Sequence, residues 1–196
     1  MFIQTQSTPN PETLKFLPGR EVSPTTPYEF ASPTEAAASP LAQALFALSG
    51  VKAVFLGEDF IALTKQADQD WAILKPQALA AVMDHFVSGA PVIVQADGGA
   101  DHLAAEADDD LAYEGETAEI VAEIKELIAT RVRPAVAQDG GDIVFKRFEA
   151  DTGVVQLIMR GACSGCPSST QTLKQGVENL LRHYVPEVTA VEAVAA

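Results

Sequence analysis

The sequence has little positive charge: 13 Lys and Arg residues stand against 27 Asp and Glu residues, and the net charge is -14. Because phosphate binding needs a clustered basic surface, this balance argues against a nucleic-acid partner. It argues equally against docking on anionic lipid. Hydrophobic residues make up 47% of the chain and charged residues 20%, proportions that are ordinary for a soluble globular protein.

Long apolar segments are also lacking. The longest charge-free run of apolar character, residues 36–51, contains Pro40 and Gln43 and is too short to span a bilayer. The opening stretch "MFIQTQSTPNPETLKF" resembles neither a secretory signal nor an Arg- and Ser-rich transit peptide. We therefore expect a soluble intracellular protein with no membrane partner. Because the chain starts with Met1, a bacterial cytoplasmic protein is a simpler interpretation than a mature organellar form.

Cysteine is scarce, and both cysteines lie together. Cys163 and Cys166 are separated by two residues in the stretch "GACSGCPSST". In a reducing compartment such a pair is more often redox-active or metal-binding than structural. Metal and cluster sites usually take four protein ligands, and this pair supplies two. The three histidines, which lie too far away in the sequence to complete the set, are His85, His102 and His183.

Charge also predicts the boundary between two domains. Residues 91–115 contain seven Asp and Glu residues, no Lys or Arg, and little periodic hydrophobicity, so they are interpreted as an acidic linker with a mobile middle. This divides the chain into a cysteine-free domain, residues 1–90, and a cysteine-bearing domain, residues 116–196. Both domains mix helices with strands, and the predicted fold class is α+β.

The first domain is predicted to contain two short strands, "MFIQTQ" and "TLKFLPG", before a helix. Ser39 caps this helix and Pro40 occupies its first position. The stretch "VKAVFLGEDFIALTK" then predicts a β-hairpin, and a second helix is expected from near Pro76 to Gly89. The residues expected in register on this second helix are Leu79, Val82, Met83 and Phe86. Trp71 is interpreted as a packing residue.

The second domain is predicted to run helix, hairpin, Cys loop, helix. An amphipathic stripe in "TAEIVAEIKELIATRVRP" gives the first helix, which Pro134 ends or kinks, and "QDGGD" makes the following turn. Two alternating runs give the hairpin. The last helix starts at Pro167, stops at Pro186 and precedes a possible edge strand, and its expected stripe is Leu173, Val177, Leu180, Leu181 and Tyr184.

The Cys loop is thus expected on the surface, between a strand end and a helix start. Unpaired N–H groups and the positive end of the helix dipole favour thiolates there. Ser164, Ser168 and Ser169 could donate hydrogen bonds toward sulfur, although small polar residues in a loop are usually only solvated. Arg160 could offset the negative charge of a thiolate-ligated cluster, but it is interpreted as a solvated strand-end residue. Three sites fit these residues: a thioredoxin-like dithiol, a zinc site, and an iron–sulfur cluster shared by two chains. Chemistry alone does not separate zinc between two chains from a cluster between two chains.

The motifs resemble a known family. "DGGD" before the hairpin and "CSGCPSS" before the helix resemble the C-terminal NifU-like domain of Nfu proteins. "MFIQTQSTPNPETLKFLPG" with the later "SPLAQALF" and "GVKAVFLGEDFIALTK" resembles the N-terminal domain of Nfu proteins from mitochondria and some bacteria. The resemblance covers nearly the whole chain.

The resemblance implies a cluster carrier and no enzyme activity. In that family two chains hold one [4Fe–4S] cluster between their CxxC motifs, which makes Cys163 and Cys166 the expected ligands in a homodimer. The implied partners are apo iron–sulfur enzymes and an upstream cluster donor. The implied location is the bacterial cytoplasm, or the mitochondrial matrix in a eukaryote. A zinc-stapled dimeric interaction module is the main alternative, and a CxxC dithiol oxidoreductase is less favoured.

Overall fold

A computed structural model describes residues 2–94, 113–164 and 167–194, the side chains of residues 167–170 excepted. The chain divides into two compact units, Met1–Asp101 and His102–Ala196. Both units combine helices with sheets, so the predicted α+β class is confirmed. Within the described ranges no helix has the length and apolarity needed to cross a bilayer.

The first unit is built on a five-stranded antiparallel sheet of order β1-β2-β5-β4-β3. Its strands are β1 (Gln4–Ser7), β2 (Thr13–Leu17), β3 (Tyr28–Phe30), β4 (Val51–Leu56) and β5 (Ile61–Lys65). Two helices follow the pattern of the sequence, α1 (Pro40–Phe46) and α2 (Trp71–Ser88), and a short 3-10 turn covers Glu35–Ala38. The predicted hairpin and the two N-terminal strands are confirmed, whereas β3 was not predicted.

Capping decides where the helices of this unit begin. Ser39 accepts a hydrogen bond from the Ala42 N–H at 3.1 Å, and Pro40 is the first helical residue, as predicted. The predicted start of α2 near Pro76 is wrong, because the Asp70 carboxylate accepts the Ala72 N–H at 2.9 Å and starts the helix at Trp71. Pro76 therefore lies inside α2.

The core of the first unit lies between its helices and its sheet. Phe16, Leu41 and Leu63 are among its fully buried side chains. Trp71 packs on this core as predicted, and its Nε1 donates to the Pro11 carbonyl at 3.2 Å. The expected register of α2 is wrong at Met83, which is 40% exposed. The side chains that α2 buries are Leu74, Ala78, Val82 and His85.

The second unit has a three-stranded sheet of order β6-β7-β8. Its elements are α3 (Glu116–Leu127), α4 (Arg133–Gln138), β6 (Gly141–Glu149), β7 (Val154–Gly161), α5 (Pro167–Tyr184) and β8 (Ala190–Val194). β6 and β7 form the predicted antiparallel hairpin. β8 is the predicted edge strand, and it pairs with β7 in the parallel direction.

Two details of the helical pattern differ from the expectation. Of the two effects predicted for Pro134, ending the helical run is wrong: a π-helical segment, Ile128–Val132, precedes the proline, and α4 continues to Gln138. Tyr184 is not in the core; it is 41% exposed, and its ring lies 4.8 Å from the Arg131 guanidinium carbon.

The ends of the predicted linker 91–115 each pack on one unit. At the first end, Val94 donates its N–H to the Ala38 carbonyl at 2.8 Å. At the second end, the Tyr113 hydroxyl accepts the Phe148 N–H at 2.9 Å and donates to the Phe148 carbonyl at 3.2 Å. The middle of the predicted linker lies outside the described residues.

Candidate metal centre

The Cys loop begins where β7 ends, at Gly161, and α5 begins at Pro167. This confirms that the loop connects a strand end to a helix start. Cys163 lies two residues beyond the strand. Cys166 lies outside the described residues, so the ligand role predicted for it remains a prediction.

Cys163 is buried, and the expectation of a thiol on the surface is wrong. Its exposed fraction is 6%, and it belongs to the apolar core of the second unit. The reason is a sharp turn at Gly161, which has a φ of +65°. The turn brings the loop back over the start of β6, where the Ala162 N–H donates to the Gly140 carbonyl at 3.2 Å.

The two glycines of "DGGD" have different roles. Gly140 makes the turn before β6 and has a φ of +80°. Gly141 makes room for the Cys loop: a Cβ placed there would lie 2.6 Å from Cys163 Sγ and 2.7 Å from the Arg160 carbonyl oxygen. The glycine pair and the CxxC motif, which are about twenty residues apart in the sequence, therefore meet at Gly141 in one packed arrangement. Sequence reasoning identified the turn and missed this contact.

An ion pair anchors the strand next to Gly141. Arg133 on α4 donates from Nε to Asp142 Oδ1 at 2.8 Å and from an Nη atom to Oδ2 at 2.9 Å. The hydrogen bonds to Asp142 raise the pKa of Arg133, against a smaller lowering by desolvation. A two-point contact fixes orientation as well as distance. The beginning of β6, and with it Gly141, is thus fixed to the helical layer. The sequence patterns did not indicate that Arg133 and Asp142 form an ion pair.

The prediction that Arg160 is a solvated strand-end residue is wrong. Arg160 is 3% exposed, and it lies directly opposite Asp142 in the β6–β7 pair. Directly opposite residues of an antiparallel pair have their Cβ atoms about 5 Å apart on the same face of the sheet. A carboxylate flanked by two guanidinium-bearing residues therefore lies beside the strand ends that carry the Cys loop.

The sequence leaves open whether the serines of the loop donate toward sulfur or are only solvated. The Ser164 hydroxyl donates instead to the Gly161 carbonyl at 2.9 Å. Since a hydroxyl carries one hydrogen, Ser164 stabilises the turn in this conformation and does not donate to a thiolate. The side chains of Ser168 and Ser169 lie outside the described residues.

Histidines do not complete a metal site in the described part of the chain. His85 is buried in the first unit, on α2. His183 lies near the end of α5, with its ring edge-on to Tyr184 at a centroid distance of 4.9 Å. His102 lies outside the described residues. Across those ranges, no three His, Cys, Asp or Glu side chains are grouped so that they could hold a metal ion.

Comparison with known protein families assigns both units. Residues 3–89 match the model of the scaffold protein Nfu/NifU N terminal, and residues 124–192 match that of the NifU-like domain. The second match includes both cysteines. Two α+β units, the second with a CxxC loop between strand and helix, define a two-domain protein of the Nfu/NifU class.

Individual proteins give the same assignment. The chain is 52% identical over 195 residues to a Drosophila sechellia protein named NFU1 iron-sulfur cluster scaffold homolog, mitochondrial; the match covers 99% of this chain and 65% of that protein. It is 50% identical over 192 residues to NifU-like protein 5, mitochondrial, of Arabidopsis thaliana, covering 98% of this chain and 67% of that one. The chain belongs to the Nfu family.

A solved structure is also similar. The solution NMR structure of a NifU-like protein from Saccharomyces cerevisiae is 27% identical, covers 48% of this chain and 86% of its own length, and superposes with a TM-score of 0.42. The chain spans 65% of the length of the fly relative.

Proposed function

We propose that this chain is an iron–sulfur cluster scaffold and carrier. Two copies hold one [4Fe–4S] cluster as cargo, each supplying the thiolates of Cys163 and Cys166. The observation that carries the proposal is the CxxC loop at the junction of β7 and α5, in a unit that matches the NifU-like domain and in a chain with no other cysteine. Because four ligands are usual for such a cluster, two chains are needed.

The surroundings of Cys163 suit a cluster that must be protected from water. The thiol belongs to a core cluster that includes Ile143, Phe145 and Met159. An apolar shell limits solvent access to a metal centre and tunes its stability. On the other side, Gly141 lets the β6 backbone lie against sulfur without a side chain between them. Packing thus holds Cys163 in this conformation, and a cluster shared with a second chain requires the Cys loop to turn the Cys163 sulfur outward.

We assign a different role to each domain. Residues 1–90 form the Nfu N-terminal domain, which recognises partners; residues 91–115 are the acidic linker; residues 116–196 form the cluster-binding domain. The partners proposed are apo iron–sulfur proteins, which accept the cluster, and an upstream donor, which supplies it. The names of the fly and plant relatives, which refer to a cluster scaffold and to NifU, support this role.

The proposed activity is binding and transfer, not catalysis of a substrate reaction. A zinc-stapled dimer remains the alternative function, since zinc accepts the same four thiolates. We propose the mitochondrial matrix as the location in a eukaryote, in line with the names of the relatives, and the cytoplasm in a bacterium.

Anaerobic reconstitution with iron and sulfide tests the proposal. Iron, acid-labile sulfide and mass by size exclusion are measured on one sample. We expect about four iron and four sulfide atoms per dimer. Cys163→Ala should abolish the bound cluster and the cluster-dependent dimer. Gln175→Ala, at an exposed position of α5 outside the Cys loop, is the matched control and should retain both.

Two results would reject the carrier function. Stoichiometric zinc without labile sulfide would favour the zinc-stapled module. A sample whose mass and metal content are the same with and without the Cys163 thiol would show that this cysteine is not a ligand.

A further inference from the structure

Helix α2 of the first unit is apolar on two opposite faces. One face is buried in the core through Leu74, Ala78, Val82 and His85. The opposite face is exposed to solvent: Ile73 is 65% exposed, Met83 40% and Val87 76%. Pro76 and Ala80 lie between them on the same exposed side. The outer face of a surface helix is normally polar, so this stripe needs an explanation.

The exposed residues follow a regular spacing. Ile73, Pro76, Ala80, Met83 and Val87 are separated by three, four, three and four residues. This is the spacing of a seam along which two helices pack. The stripe is continuous over the length of the helix and differs from the scattered single apolar residues of an ordinary surface.

Side-chain size along the stripe, together with a polar pair beside it, fits a second copy of the same helix in antiparallel orientation. With the two-fold axis between Ala80 and Met83, Ala80 faces the partner's Met83 and Pro76 faces the partner's Val87. Large residues then face small ones, as close packing requires. Gln77 and Asp84, which border the stripe on one side, come together as amide and carboxylate across the pair. A parallel pair would instead set Ala80 against Ala80 and Asp84 beside Leu79.

We propose that α2 pairs antiparallel with α2 of a second copy within the cluster-bridged dimer. One helix face buries less than the roughly 1,200 Å² of a stable specific interface, so separate chains associate weakly through it. Two chains already joined at their Cys loops meet at effective concentrations on the order of millimolar. The inference rests on the proposed function because the shared cluster joins the two chains. The packing of the stripe itself does not depend on that function.

The test uses the full chain with p-benzoylphenylalanine in place of Gln77, an exposed position beside the stripe. Irradiation of the reconstituted protein should give a covalent dimer cross-linked near the partner's Asp84. The double variant Met83→Glu and Val87→Glu sets like charges into the seam and should lower the cross-linked fraction about tenfold or more. Gln66→Glu, an exposed position outside α2, adds charge elsewhere and should leave the cross-linked fraction unchanged.

The outcomes separate this proposal from the proposed function. A reconstituted dimer, established by iron content and mass, that gives no cross-link overturns the α2 pairing and leaves the carrier function intact. A cross-link that survives the double variant, or that attaches at the partner's Gln77, also overturns it. If no cluster-bridged dimer forms, irradiation at millimolar protein concentration decides: a cross-link sensitive to the double variant supports the pairing, and its absence overturns it.

Discussion

The two long helices of this protein are both 18 residues long, and they differ in where their exposed chemistry lies. α2 starts at a side-chain cap, Asp70, and exposes apolar residues along its whole outer face. α5 starts directly after the Cys loop and exposes polar residues such as Gln175 and Asn179. Two helices of equal length therefore differ in the surface they present: that of α2 is apolar along the helix, and that of α5 includes polar side chains.

The largest effect is expected from filling the space beside the Cys loop, which should change the unit that contains α5 and leave the unit that contains α2 unchanged. Gly141→Ala sets a Cβ against Cys163 Sγ and a backbone carbonyl, and a backbone atom cannot move aside cheaply. Overpacking of this kind costs about 1–3 kcal/mol. We expect faster amide hydrogen exchange in β6 and β7, with the first unit unchanged, and fewer iron atoms bound after reconstitution. Unchanged exchange together with full loading would mean that Cys163 does not need the glycine.

A change of pH should act on α2 through His85. This imidazole is buried, its Nε2 has no hydrogen-bond partner among the described residues, and burial lowers the pKa of His85 below 6.5. The unfolded chain therefore takes up the proton first as the pH falls. The free energy of unfolding of the first unit should be constant above the unfolded pKa and decrease between 6.5 and the lowered folded value.

Trp71, the sole tryptophan, reports this transition by its fluorescence in urea. Comparing about pH 7.5 with about pH 5.5 covers the histidine range and stays above most carboxylates. His85→Leu should reduce the difference between the two pH values. His183→Leu removes an imidazole from the other unit and should leave the Trp71 transition as it was. An equal pH dependence in the His85 variant would exclude His85 as its source.

The smallest effect is expected at Gly176 on α5. This glycine is exposed, and a Cβ there would meet no atom within 4 Å. Gly176→Ala should therefore stabilise the second unit by about 0.5–1 kcal/mol, the cost of glycine inside a helix. The measurement is hydrogen exchange of α5 in the chain without cluster. Slower exchange is expected; faster exchange would mean that the helix needs the glycine. The variant also serves as the matched control for Gly141→Ala.

The sequence was most informative where a short pattern determines local structure. The hairpins, the Ser39 cap and the start of α5 at Pro167 follow from alternation, capping and proline geometry, and all were predicted. Local pattern failed where two signals compete. Pro76 suggested a helix start, but the Asp70 cap lies upstream and the helix tolerates the proline.

Burial at the site could not be predicted, because it depends on contacts between distant segments. Cys163 was expected at the surface and is buried only because the turn at Gly161 returns it to Gly141. Arg160 has no neighbour in sequence that indicates burial; its position opposite Asp142 follows from the strand register. The CxxC motif itself was found from the sequence, since its spacing is local.

The parallel pairing of β8 with β7 has a consequence for the order in which the site is built. During synthesis the chain emerges from its N-terminus, so both cysteines are made before Ala190–Val194 exists. Until that last strand arrives, β7 has an open edge, and unpaired strand edges are where nascent chains aggregate or pair wrongly. The sheet from which the Cys loop leaves is therefore completed only after the loop has been made, and a chain that is cut before Ala190 leaves β7 with an open edge.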